Sequence, residues 1–175
     1  SAGAKVLLIP QHQILLATRG SAQFFLRIYQ LSLEASFRAD FTLEQLTAEL
    51  GRVIDQLWPN YAKAVAEAGL PAEYCTTELV LGGWSPKSGR MMATAYAKHD
   101  AAEPVVVQPI TGQLSSPGEP LQDWPPSMAT PALFEAGRRQ AQWLNERTGR
   151  RVAGGRLLLG FLQPGQAVVK DLGAL

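Results

Sequence analysis

At 175 residues, 46% of them apolar, the chain is long enough to bury a sizeable core and reads as a single domain. Lys and Arg number 16 against 15 Asp and Glu, a formal net charge of +1, which excludes a field drawing the protein to nucleic acid or to an anionic membrane surface. No apolar run has the length of a bilayer span. The lone Cys75 excludes a disulfide framework and fits the reducing cytoplasm, where a buried, inert thiol at a strand entrance is the expected role.

Residues 5–9 and 14–18 read as adjacent antiparallel strands joined by a short polar turn, with Lys5 at the head of the first and Gly20 closing the second. Phe24, Phe25, Ile28, Tyr29 and Leu31 then recur at helical spacing, which predicts a helix ending near residues 37–40. Thr42 caps a second helix, with Gln45 placed to reach back in a capping box. Leu43, Leu46, Leu50, Val53, Ile54 and Leu57 give this helix one apolar stripe; Pro59 breaks or kinks it, and residues 61–68 continue it to Gly69 and Pro71.

The pattern next changes to short apolar runs. Residues 76–81, Gly82-Gly83, a turn at 85–89 and residues 91–97 form a hairpin, and residues 105–107 form a further strand. The segment 112–131 is rich in proline and reads as a structured excursion. Thr130-Pro131 supplies a cap and a first-turn proline for a helix over 132–147, closed by Gly149. Residues 156–162 and 167–172 flank a Gln-Pro-Gly-Gln turn as a last hairpin. The order of elements predicts an α+β fold of sheets covered by helices.

Three features taken together resemble the proteasome β-subunit family of N-terminal nucleophile (Ntn) hydrolases, including its bacterial relatives. They are the lysine-headed strand with Gly20 at the strand-to-helix junction, the Leu79-Val80-Leu81-Gly82-Gly83 run before a turn, and the late Gly154-Gly155. The resemblance covers most of the chain and implies a four-layer αββα sandwich. It places Lys5 and Gly20 at the catalytic positions: Lys5 as the ammonium that favours the ionised nucleophile, and the Gly20 amide as an oxyanion donor. It also places Thr18, Ala22 and Leu26 around a substrate pocket suited to a modest apolar group. The nucleophile itself, a Thr or Ser whose own α-amine is the base, belongs in this family to an N-terminal hairpin, which the sequence does not show ahead of Lys5.

The implied activity is hydrolysis of peptide amides, with no metal or organic cofactor, in a homo-oligomer; a catalytically inactive assembly subunit is the alternative. Trp58, Tyr61 and the proline-rich segment are expected to offer apolar surface for assembly. From spacing alone, Lys5 reads first as a solvated strand-end lysine, and Thr18, Ala22 and Leu26 read equally as ordinary packing. The sequence departs from the family where an aspartate and a serine precede the late glycines: Arg150-Arg151-Val152-Ala153 stands there, and Ser115-Ser116 is a loose counterpart of the family's mid-chain Ser-Gly-Ser loop. His12 and His99 lack metal-ligand spacing. The glycine-rich stretches match no nucleotide-binding fingerprint, and the tryptophans are too scattered for a base-stacking platform.

Overall fold

The fold is known from a computed structural model that describes residues 5–123 and 127–175. Ser1 and Trp124 lie outside the described residues. Strands β1 (Val6–Ile9) and β2 (Ile14–Gly20) pair antiparallel with Ile9 opposite Ile14 and Val6 opposite Ala17. A single 3-10 turn over Pro10–His12 and a left-handed Gln13 (φ 53°) reverse the chain between them. β3 (Thr77–Ser85), β4 (Arg90–Lys98) and β5 (Val106–Pro109) continue one antiparallel sheet in the order β1-β2-β3-β4-β5. Between β2 and β3 run helices α1 (Ala22–Ala35) and α2 (Leu43–Glu67). Helix α3 (Thr130–Thr148) precedes a separate two-stranded hairpin of β6 (Arg156–Gln163) and β7 (Gln166–Ala174). The protein is therefore a mixed α+β fold, as its order of elements predicts.

Contacts divide the chain into two compact units: Ser1–Thr111 with Gly160–Val168, and Gly112–Leu159 with Val169–Leu175. The first unit contains the core. Phe24, Phe25 and Ile28 of α1 and Leu43, Leu46, Leu50 and Ile54 of α2 are buried in one cluster with Ile9, Ile14, Leu16, Leu79, Leu81 and Tyr96 of the sheet. Each side chain of this kind contributes roughly 1.5–3 kcal/mol on leaving water. The stripe read from residues 43–57 thus faces inward, with Val53 and Leu57 packed at its margin. Gly83 makes this approach possible, because a side chain there would press on Leu43 Cδ2 at 3.1 Å and Ile14 Cγ1 at 3.2 Å. Gly82 serves the opposite face of the sheet, where Leu162 Cδ1 from the tip of the β6–β7 hairpin would lie 3.3 Å from an added Cβ.

The second unit is thinner. α3 has no buried residue and lies against the base of the last hairpin, where an added Cβ on Gly137 would meet Leu175 Cδ2 at 2.9 Å and Leu157 Cδ1 at 3.5 Å.

Several local expectations need correction. α2 is one helix through Pro59, not two pieces. The Thr42 hydroxyl does accept from the Gln45 amide at 3.1 Å, but the Gln45 side chain bonds forward to Glu49 and does not complete a capping box. Thr130 is the first helical residue of α3; Ala129 precedes it without a side-chain cap. Trp58 offers no assembly surface: it is buried, and its indole N–H donates to Cys75 O at 3.0 Å. Cys75 itself is buried just ahead of β3, and desolvation pushes its thiol pKa up, as suits a packing residue.

Candidate functional site

The junction of β2 and α1 brings together two of the residues singled out in the sequence. Lys5 lies just ahead of β1, and its backbone oxygen accepts from the Thr18 amide at 2.9 Å, so the ladder extends one residue beyond the strand. From there its ammonium reaches along β2 and donates to Gly20 O at 2.6 Å. Partial burial lowers the Lys5 pKa below the ordinary lysine value, through desolvation of the charged form. Lys5 is thus a half-buried strand-end lysine whose ammonium is engaged by a backbone carbonyl.

Gly20 is required by its surroundings. Its φ is +108°, and a Cβ built there would overlap the Thr76 carbonyl oxygen. That same carbonyl accepts from the Ser21 amide at 3.3 Å. That single bond carries the β2–β3 contact one residue past Gly20, and the alternation of an antiparallel ladder turns the polar groups of Gly20 away from β3 and toward the Lys5 side. The bond from the Lys5 ammonium to Gly20 O agrees with that orientation. Ser21 then caps α1, its hydroxyl accepting from the Phe24 amide at 3.2 Å, which places the positive end of a 14-residue helix beside the same junction. A lysine ammonium and a helix N-terminus here both favour negative charge.

The three residues assigned to a substrate pocket fall differently. Thr18 is half-buried on β2, and its hydroxyl donates to Glu78 O at 3.0 Å. Ala22 is half-buried in the first turn of α1. Leu26 is 47% exposed one turn on, so it is free to meet a ligand and contributes little to the core. Beside them, Arg19 pairs with Glu78 at 3.3 Å, and the His99 ring lies 3.8 Å from the same carboxylate.

In the second unit, residues 150–155 follow α3. Asn145 organises this loop, its side-chain oxygen accepting from the amides of Val152 (2.7 Å) and Ala153 (2.9 Å) and its amide donating to Ala153 O at 3.0 Å. Gly154 and Gly155 both have positive φ. The loop has no carboxylate or hydroxyl of its own.

Sequence reading missed a concavity in the first unit, at the other end of the β1–β2 pair. A cleft of about 410 Å³ is lined by His12, Ile14, Phe41, Glu44, Trp84 and Lys87 among others. These residues come from segments far apart in the chain, so no local motif could have indicated it. Among the described residues, no three His, Cys, Asp or Glu side chains are grouped to hold a metal ion, and no helix is long and apolar enough to cross a membrane. No protein-family profile matches the chain, and no curated protein matches it in sequence.

Proposed function

We propose that the protein is a proteasome-like Ntn hydrolase domain, acting on peptide amides by acyl transfer to an N-terminal hydroxyl. The observation that carries this reading is the Lys5 ammonium held 2.6 Å from Gly20 O, where a glycine at φ +108° turns the chain into a capped helix. A nucleophile delivered beside Lys5 gains from the ammonium's charge as it ionises. A tetrahedral oxyanion near Gly20 gains from backbone donors and the α1 N-terminus. Lys5 also gains from its lowered pKa, which eases proton exchange with an N-terminal amine or hydroxyl. Thr18, Ala22 and Leu26 flank this junction and supply the substrate pocket in this reading. Support for the four-layer αββα order comes from two sets of contacts, each inside one unit: α1 and α2 against the sheet that also meets Leu162, and α3 against the hairpin base.

The second reading, a catalytically inactive proteasome-like assembly subunit, is favoured by residues 150–155, where the family's supporting carboxylate and hydroxyl are replaced by Arg150-Arg151-Val152-Ala153. Both readings include a homo-oligomer located in the cytoplasm. Covalent labelling separates them. The full natural chain should react with a peptide epoxyketone at an N-terminal hydroxyl, and Lys5→Ala should abolish the adduct. An unlabelled, stably assembled oligomer supports the inactive subunit, whereas labelling undiminished in Lys5→Ala overturns the assigned site.

A further inference from the structure

We propose that the cleft between the β1–β2 turn, the start of α2 and the β3–β4 turn binds a primary ammonium group carried on an aromatic or aliphatic body, with the Glu44 carboxylate as its anchor. The site uses neither Lys5 nor Gly20 and stands apart from the proposed hydrolase chemistry. Its volume, about 410 Å³, is in the usual range for small-molecule sites. The walls are apolar and aromatic: Ile14 is fully buried beneath it, Trp84 is half-buried, and the His12 ring lies 4.4 Å from that of Phe41 at an angle of 53°.

The polar groups decide the charge of the occupant. Two polar groups at the cleft are already committed: Glu44 Oε1 accepts from the Ser85 hydroxyl, and the His12 Nε2 is engaged with Ser36 O at 2.7 Å. Ser85 in turn accepts from the Ser88 amide at 3.0 Å, which fixes the turn against α2. Glu44 keeps a second carboxylate oxygen with no hydrogen-bond partner among the described residues. The Ser85 bond, its own backbone amide and the charge of Lys87 together hold its pKa below the usual carboxylate value, so it is ionised at neutral pH.

The competing cation is Lys87, on the exposed β3–β4 turn, which forms no ion pair within 4 Å among the described residues. It acts on Glu44 through space without contacting it, and a ligand ammonium displaces its influence. The aromatic walls then stack on the ligand's body and add cation–π attraction. An anionic ligand meets the opposite balance, since it must approach an ionised carboxylate that already occupies the positive end of α2.

The test is titration of the 15N-labelled protein with phenethylammonium and, in parallel, phenylacetate, read at the Trp84 indole signal. Phenethylammonium should shift it saturably. Glu44→Gln, which preserves an acceptor for Ser85, should weaken binding at least tenfold while the dispersed 15N spectrum of the folded protein is retained, and Lys87→Ala should tighten it several-fold. Failure to bind the wild type, binding unaltered by Glu44→Gln, binding not tightened by Lys87→Ala, or preference for phenylacetate would each overturn the proposal.

Discussion

The two units differ in how their helices are held. α2, of 25 residues, buries Leu43, Leu46, Leu50, Gly51, Ile54 and Trp58 along its length, whereas α3, of 19, buries none of its residues. The difference is in the partner each helix meets. α1 and α2 share one face of a five-stranded sheet, while α3 has a two-stranded hairpin whose strands stay half-exposed. Two strands alone seldom bury enough surface to be stable, so cooperative stability belongs to the first unit. The same unit presents the Lys5–Gly20 junction.

The comparison is broken most forcefully by placing the same charge in each helix. Leu50→Asp puts a carboxylate into a side-chain site that is 2% exposed and should unfold the first unit, a loss beyond about 4 kcal/mol. Leu144→Asp in half-buried α3 should leave the main melting transition in place. Equal losses in a thermal melt would refute the contrast.

Gly20→Ala should come next. The positive φ alone costs about 1–3 kcal/mol, and overlap with the Thr76 carbonyl adds to it because that neighbour is backbone and cannot swing aside. A variant with wild-type stability would show that the junction is not built as described.

The smallest effect is the acid dependence of Glu44. Its folded pKa is lowered from 4.5, chiefly by the Ser85 hydroxyl, so its contribution to stability is present above the unfolded value and is lost as the pH falls through the folded one. Ser85→Ala should therefore lower the melting temperature at neutral pH, with the gap to wild type closing as the pH falls below the carboxylate range. A gap independent of pH would assign the loss to packing instead.

Much of this architecture is legible in the sequence because it is local. The apolar runs of β1 and β2, the stripe of α2 and the glycines at 82, 83, 89 and 149 each encode their element within a few residues. Pro59 misleads because tertiary burial on either side, by Leu57 and Trp58 before it and Tyr61 after it, sustains the helix against the loss of one bond. Trp58 misleads for a related reason: its partner, the Cys75 carbonyl, arrives from a distant turn. A pair such as Lys98 and Asp55, 2.8 Å apart with the lysine buried, has no short-range signature, and neither has the cleft joining His12, Glu44 and Lys87. For Lys5, the family resemblance, and not any local pattern, suggested that it belongs with Gly20. Only the register could show the ammonium on the Gly20 carbonyl.

The central claim, that Lys5 and Gly20 form the fixed half of a hydrolytic site, is tested most directly by steady-state hydrolysis of a fluorogenic peptide amide by the full natural chain and its Lys5→Ala and Lys5→Arg forms. The account predicts a fall in kcat/KM of roughly two orders of magnitude or more for Lys5→Ala, the scale of removing one electrostatic element. Lys5→Arg should recover little, since a guanidinium does not exchange protons near neutral pH. Turnover by the wild type that survives Lys5→Ala undiminished would contradict it.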